Sequence, residues 1–149
     1  MRKVVKFGGS SLASAEQFRK VGEIIRADES RRYVVPSAPG KRFSADTKVT
    51  DLLYQCYQAA EKGGAEFQAL LSEIKSRYQE IIDGLELSIS LEEDFGLIEE
   101  NFRKQIGEEY AASRGEFLNG KVMADYLGFE FVDAARIIRV DGEGQFDAE

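Results

Sequence analysis

Two periods run through the apolar positions of the chain. Lys3-Val4-Val5-Lys6-Phe7 is a short run with β-branched residues that leads into Gly8-Gly9-Ser10-Ser11, and Ser14 with Gln17 three residues on marks a helix start. The pattern predicts a strand, a tight turn and a helix N-terminus. Phe18, Val21, Ile24 and Ile25 then recur at helical spacing, predicting an amphipathic helix from about Ala15 to Ala27. Arg31 to Val35 predicts a second strand, ended by Pro36. Strand, helix and strand make a βαβ unit with parallel strands and a right-handed crossover. Ligands gather at the C-terminal ends of such strands, where Gly8-Gly9-Ser10-Ser11 and Ser37-Ala38-Pro39-Gly40 are expected to meet.

Beyond a polar stretch, Lys41 to Thr47, that reads as mobile, the helical period takes over. Val49, Leu52, Leu53, Cys56, Ala59 and Ala60 predict a helix from Lys48 to Glu61, stopped by Gly63-Gly64. Phe67, Leu70, Leu71, Ile74, Tyr78, Ile81 and Ile82 predict a second, ended by Asp83-Gly84. A third is expected from about Leu91 to Ile106, and a fourth carries Phe117, Leu118, Val122, Met123, Tyr126 and Leu127 up to Gly128. Ser113-Arg114-Gly115-Glu116 falls at or near the start of that fourth helix. Consecutive helices of this kind form a small antiparallel bundle on one side of a sheet. Phe129 to Val132 and Arg136 to Val140 read as further short strands, followed by a turn at Asp141-Gly142-Glu143-Gly144. The fold class expected is α/β, three-layer α/β/α with a mainly parallel sheet.

Composition narrows the chemistry. A chain of 149 residues, 43% hydrophobic and 32% charged, is long enough for one domain with a core. Its formal charge of −7 argues against a nucleic-acid partner. The basic pairs Arg31-Arg32 and Lys41-Arg42 are short. No apolar run reaches the roughly 20 residues of a membrane span, and the N-terminus is a strand without a signal-peptide core, so the expected location is the cytoplasm. The single Cys56 excludes an internal disulfide and suits a reducing compartment. It sits on an apolar helix face and reads as packing. With no histidine in the chain, a His-based triad or His–Zn site is excluded. Chemistry is left to lysine, arginine, carboxylates, hydroxyls, backbone amides and Mg²⁺.

The glycine turn is the leading candidate site. Its N–H groups and those of the following helix can hold an anion, most often phosphate, and Lys6 adds a positive charge beside them. The spacing is neither a Walker A loop nor a Rossmann G-x-G-x-x-G, so a plain βα turn with a surface lysine stays open as the other reading. Thr50 and Asp51 fall in the first turn of their helix, where a hydroxyl and amides can face a carboxylate; ordinary capping and dipole pairing account for the same residues. Glu116 either caps its helix or reads a substrate ammonium.

In their order along the chain, five motifs resemble the aspartate kinases of the amino-acid kinase superfamily. They are Lys6-Phe7-Gly8-Gly9-Ser10-Ser11, Val35-Pro36-Ser37-Ala38-Pro39-Gly40, Lys48-Val49-Thr50-Asp51-Leu52-Leu53, Ser113-Arg114-Gly115-Glu116-Phe117 and Phe131-Val132-Asp133-Ala134. The resemblance spans nearly the whole chain but part of the family's length. It implies an amino-acid kinase (carbamate kinase-like) fold, truncated: residues 1–149 as the N-terminal, amino-acid-binding lobe, with the nucleotide-binding lobe and regulatory ACT domains absent.

Carried onto this sequence, the resemblance gives Lys6 the catalytic role of stabilising charge on the transferring phosphoryl group. Phe7, Gly8, Gly9 and Ser10 join it in binding the phosphates of ATP. Ser37, Thr50 and Glu116 hold the amino acid, Glu116 through its α-ammonium. The implied reaction is ATP-dependent phosphorylation of the aspartate β-carboxylate to aspartyl-4-phosphate, the first step of lysine, threonine and methionine biosynthesis, with Mg²⁺ as cofactor. The fragment alone is expected to be inactive and the full-length parent a homo-oligomer. Other readings are a relative acting on glutamate, a carbamate or a nucleoside monophosphate; a non-catalytic module that binds an amino acid or anion; or a structural half that dimerises.

Overall fold

The computed structural model describes residues 1–140 and 146–147; the expected turn at Asp141-Gly142-Glu143-Gly144 lies outside the described residues. Strand β1 (Lys3–Phe7) pairs in parallel with β2 (Arg31–Pro36), with Lys6 opposite Val35 and Phe7 opposite Pro36. Helix α1 (Ala15–Arg26) connects them and is capped by Ser14, whose side chain accepts from the Gln17 N–H at 3.3 Å. Both the expected βαβ unit and the expected cap are present. Between the glycines and α1 a short 3₁₀ turn, Gly9–Leu12, is interposed, so the first helix proper begins six residues beyond the second glycine.

Four more helices follow: α2 (Val49–Ala60), α3 (Gly64–Gly84), α4 (Glu92–Arg103) and α5 (Glu108–Leu127). Their apolar stripes converge on one core with the inner faces of α1 and the sheet. Phe18, Leu53, Phe67, Ile74, Tyr78, Phe102 and Leu118 are all fully buried in it. Strand alternation decides the sheet's part: Val5, Phe7 and Val34 pack on the core, whereas Val4, Tyr33 and Val35 stay 70%, 50% and 46% exposed. Among the described residues the helices therefore cover one face of the sheet, and the other face is open. The α/β class and the parallel pairing are as expected; of the three layers, this segment supplies the sheet and one helical layer.

Four elements differ from the sequence pattern. Helix α4 stops at Arg103, because Gln105 turns into a left-handed conformation (φ 52°) and its side-chain amide donates to the carbonyls of Tyr57 and Phe102. Helix α5 starts at Glu108, well before Phe117, so Gly115 and Glu116 lie in its interior. The expected strand Phe129–Val132 does not form. Its alternation serves α5 instead: Phe131 packs edge-on against Phe117, with ring centroids 5.5 Å apart, and a Cβ on Gly120 would come within 3.0 Å of the Phe131 ring. Of the last expected strand, only Arg139–Val140 (β3) is extended; it pairs antiparallel with Phe146–Asp147 (β4).

Cys56 is fully buried on α2, and burial, with Glu99 nearby, pushes its thiol up to about 12. A thiol reagent at pH 8 is accordingly expected to leave Cys56 unmodified in the native protein and to label it in denaturant. Labelling at the same rate in both states would contradict the core described here.

Candidate functional site

The turn after β1 is shaped by close approach. Gly8 has φ −78° and ψ 169°, ordinary extended backbone, and a Cβ there would meet nothing within 4 Å. Neither Gly8 nor Gly9 takes the left-handed backbone angles that favour glycine. Gly9 is needed for another reason. A Cβ on it would come within 3.0 Å of the Ala38 carbonyl and 3.2 Å of Gly40. From the other side, a Cβ on Gly40 would lie 2.6 Å from the Gly9 carbonyl carbon and 2.7 Å from the Ser10 nitrogen. The two strand-end loops thus touch backbone to backbone, and the Gly40 N–H donates to the Gly9 carbonyl at 2.8 Å. Gly8 and Ser10 are exposed beside this contact.

The segment from Ser37 to Thr50 is tied down along its length. The Ser37 N–H donates to the Phe7 carbonyl at 3.0 Å, extending the β1–β2 pairing by one step. The Val49 N–H donates to the Pro39 carbonyl at 3.0 Å, which sets the N-terminus of α2, with Thr50 half-buried in its first turn. The polar stretch expected to be mobile is held by charge. Arg42 binds Asp46 through its side chain (Nε to Oδ2 2.8 Å) and its backbone N–H (3.0 Å), and reaches Glu80 at 2.9 Å. From α3, the guanidinium of Arg77 lies 3.6 Å from Asp46 and donates to the carbonyls of Gly40 and Thr47, both at 2.6 Å. Arg42 first, helped by Arg77, holds the Asp46 carboxyl well below the usual carboxylate range.

Helix α5 closes the far side. A Cβ on Gly115 would meet the Ala38 side chain at 2.7 Å, so this glycine admits the strand-end loop against the helix. The Tyr78 hydroxyl donates to the Gly115 carbonyl at 2.7 Å, and the Asn119 amide donates to the Ser37 carbonyl at 2.7 Å. Glu116 projects from this helix as an exposed carboxylate. Its place in the helix interior overturns the capping reading, because N–H groups there are already used within the helix. Arg114 is taken up by its own helix: its guanidinium lies 4.5 Å from the ring centres of both Tyr110 and Phe117 and donates to the Ser113 hydroxyl.

Lys6 stands apart. By alternation it shares the open face of the sheet with Val4, level with Val35, and its ammonium makes no ion pair or hydrogen bond among the described residues. The structure thus joins the two loops, Ser37, Thr50 and the Gly115–Asn119 face of α5 by direct contacts, and leaves the Lys6 ammonium outside that network. Two contributors were not singled out from the sequence. Arg77 is 3% exposed and Asn119 is fully buried. Their signal was positional: each polar residue interrupts an apolar stripe, Arg77 between Ile74 and Ile81 and Asn119 between Leu118 and Val122.

Comparison with known proteins follows the same lines. Residues 1–144 match the Amino acid kinase family. Aspartokinase 3 of Bacillus subtilis is 41% identical over 140 residues, covering 89% of this chain and 30% of the relative. A crystal structure of Clostridium acetobutylicum aspartate kinase superposes with a TM-score of 0.90 at 45% identity, covering 97% of this chain and 33% of that one. E. coli aspartokinase III, solved with aspartate and ADP, shares the fold at a TM-score of 0.65 and 21% identity, over 95% of this chain and 30% of that one. The chain spans about a third of the length of these relatives.

Gly40→Ala is expected to destabilise the protein by ~1–3 kcal/mol in denaturant titrations, since both sides of the clash are backbone; an unchanged midpoint would refute the contact. Acid titration tests the Asp46 network. A carboxyl depressed in the folded state contributes stability above its unfolded value, and loses it as pH falls from about 4 downward. The Asn variant of Asp46 should show a shallower loss across that range, though not a flat one, because Lys3 and Ser30 depress Asp28 in the same direction.

Proposed function

The chain belongs to the amino acid kinase family, and from that premise we propose that it is the amino-acid-binding lobe of an aspartate kinase, working within a longer enzyme. The observation that carries the reading is the backbone contact between Gly9 and Gly40 at the ends of two parallel strands. It brings an open, amide-rich turn beside a second loop that leads directly to Thr50. Similarity to two aspartate kinases above 40% identity supports the substrate class.

In this reading ATP and aspartate are the substrates. Gly8, Gly9 and Ser10, with the backbone at Phe7, offer donors to the nucleotide's phosphates; the space free of atoms around Gly8 fits that use. Ser37 and Thr50 present hydroxyls to the amino acid, and the exposed Glu116 carboxylate pairs with its α-ammonium. Aspartate's β-carboxylate is ionised at neutral pH, so no general base is required. One of its oxygens forms a bond to the γ-phosphorus, the bond from that phosphorus to the β,γ-bridging oxygen breaks, and ADP leaves with the electron pair. No proton moves in this step. Lys6 stabilises the charge spread over the equatorial oxygens. Its position on the open face suits a group that meets the phosphates once they are bound.

Among the described residues no group of three His, Cys, Asp or Glu side chains could hold a metal. Mg²⁺ in this reading comes with the nucleotide, because that ion is commonly held by substrate phosphates with only one or two carboxylates. A homo-oligomeric whole enzyme and a place in the cytoplasm belong to the same proposal. No described helix is long and apolar enough to cross a membrane.

Coupled ADP-release assays on the full-length enzyme test the reading. We expect aspartate-dependent turnover, its loss by at least about 100-fold in Lys6→Ala, and a rise in aspartate KM of at least ~5-fold in Glu116→Ala, as removal of a charge-assisted bond requires. Glutamate preferred over aspartate would transfer the assignment to another member of the family, and an unchanged aspartate KM would withdraw Glu116.

A further inference from the structure

Arg77 is one of two polar residues in the core of the described chain, and it lies on no motif that the proposed function uses. A guanidinium is expensive to remove from water, and burial does pull its proton affinity down. Its donors are aimed at main chain. Nη2 reaches the Gly40 carbonyl and Nη1 the Thr47 carbonyl, each at 2.6 Å, while Nε has no partner among the described residues. Its ion-pair partner among the described residues, Asp46 at 3.6 Å, is shared with Arg42, and Glu80 acts on it from farther off. A residue retained for ion pairing alone would not be fixed at two carbonyls seven positions apart.

Those two carbonyls bracket the polar segment. On one side Gly40 is pressed against Gly9, so whatever fixes its peptide fixes how closely the second loop approaches the glycine turn. On the other, Thr47 leads through Lys48 into the first turn of α2 and Thr50. A single planar fork therefore sets both ends of the segment relative to α3. The shape is specific to arginine: its two terminal nitrogens point in fixed directions, whereas a lysine ammonium offers one point of attachment.

We propose that Arg77 is a positioning residue for the amino-acid subsite, clamping the Gly40–Thr47 segment so that the Gly9–Gly40 contact and Thr50 are held in register before substrate arrives. The inference rests on the aspartate kinase reading for its consequence in catalysis, and on geometry alone for the clamp.

The test uses Arg77→Met and Arg77→Lys in the full-length enzyme. Methionine fills much of the volume without the charge, and replacing a buried charge in that way is often neutral for stability. Two readouts separate positioning from bulk folding. The first is the rate of tryptic cleavage after the exposed Lys41 and Arg42, mapped by mass spectrometry. The second is the split between aspartate KM and kcat. With Met we expect cleavage at those bonds to rise at least tenfold with little change in melting temperature. Aspartate KM should rise about 5- to 20-fold with kcat changed less, as loss of ground-state positioning produces. Lysine, able to hold one carbonyl, should fall between Met and wild type in both. Unchanged cleavage and KM in the Met variant overturn the proposal, as does faster cleavage with an unchanged KM. Should the Met variant fail to fold, Lys decides by the same two measurements. A wild-type enzyme that leaves aspartate unphosphorylated overturns the functional reading instead, and the clamp then stands or falls on cleavage alone.

Discussion

Two backbones touching without side chains between them is the constraint from which the rest of this structure follows. At Gly9 and Gly40 a strand-end turn and a strand-end loop meet so closely that either Cβ would collide with the opposite main chain. The bond from the Gly40 N–H to the Gly9 carbonyl is one rung in a longer series. Before it, Ser37 bonds to Phe7 and prolongs the sheet; after it, Val49 bonds to Pro39 and starts α2. Sheet, loop and helix are thus one hydrogen-bonded track, and the close contact is its middle.

Two buried side chains, Arg77 on α3 and Asn119 on α5, stabilise that track from behind, and Tyr78 on α3 bonds the α5 carbonyl of Gly115 beside it. All three donate to backbone carbonyls, which suits groups that must stay out of water yet satisfy a donor. None of them faces the solvent side where Glu116, Gly8 and Ser10 are exposed. The division of labour is clear in the burial. Glu116, Gly8 and Ser10 are open, Ser37 and Thr50 are half-buried, and the groups that set the shape of the loops are sealed in the core.

Much of this was readable from the chain because the periods are strong and the punctuation is local. Ser14 with Gln17, the Val49–Ala60 stripe and the parallel pairing of residues 3–7 with 31–36 all follow from short-range pattern, and the meeting of the two loops follows from βαβ topology. Failures came where a tertiary partner overrode the local signal. Phe129 and Phe131 alternate as a strand should, yet Phe117 and Gly120 claim the Phe131 ring. Gly115 reads as a helix boundary, yet it is an interior residue, kept small by Ala38 seventy-seven positions earlier. The polar run at 41–47 looked loose because nothing local shows that Arg77, thirty or more residues away, fixes both of its ends. Alternation along β1 also puts Lys6, two positions before Gly8, on the open face of the sheet.

Arg77 and Tyr78 are neighbours on one helix, and neighbours on a helix diverge by about 100° around its axis. One reaches Gly40 and Thr47, the other the Gly115 carbonyl beside Glu116. One interior turn of α3 is therefore bonded both to the Gly40–Thr47 segment and to α5, like a shaft carrying two cranks. Displacing that helix would strain both sets of bonds at once.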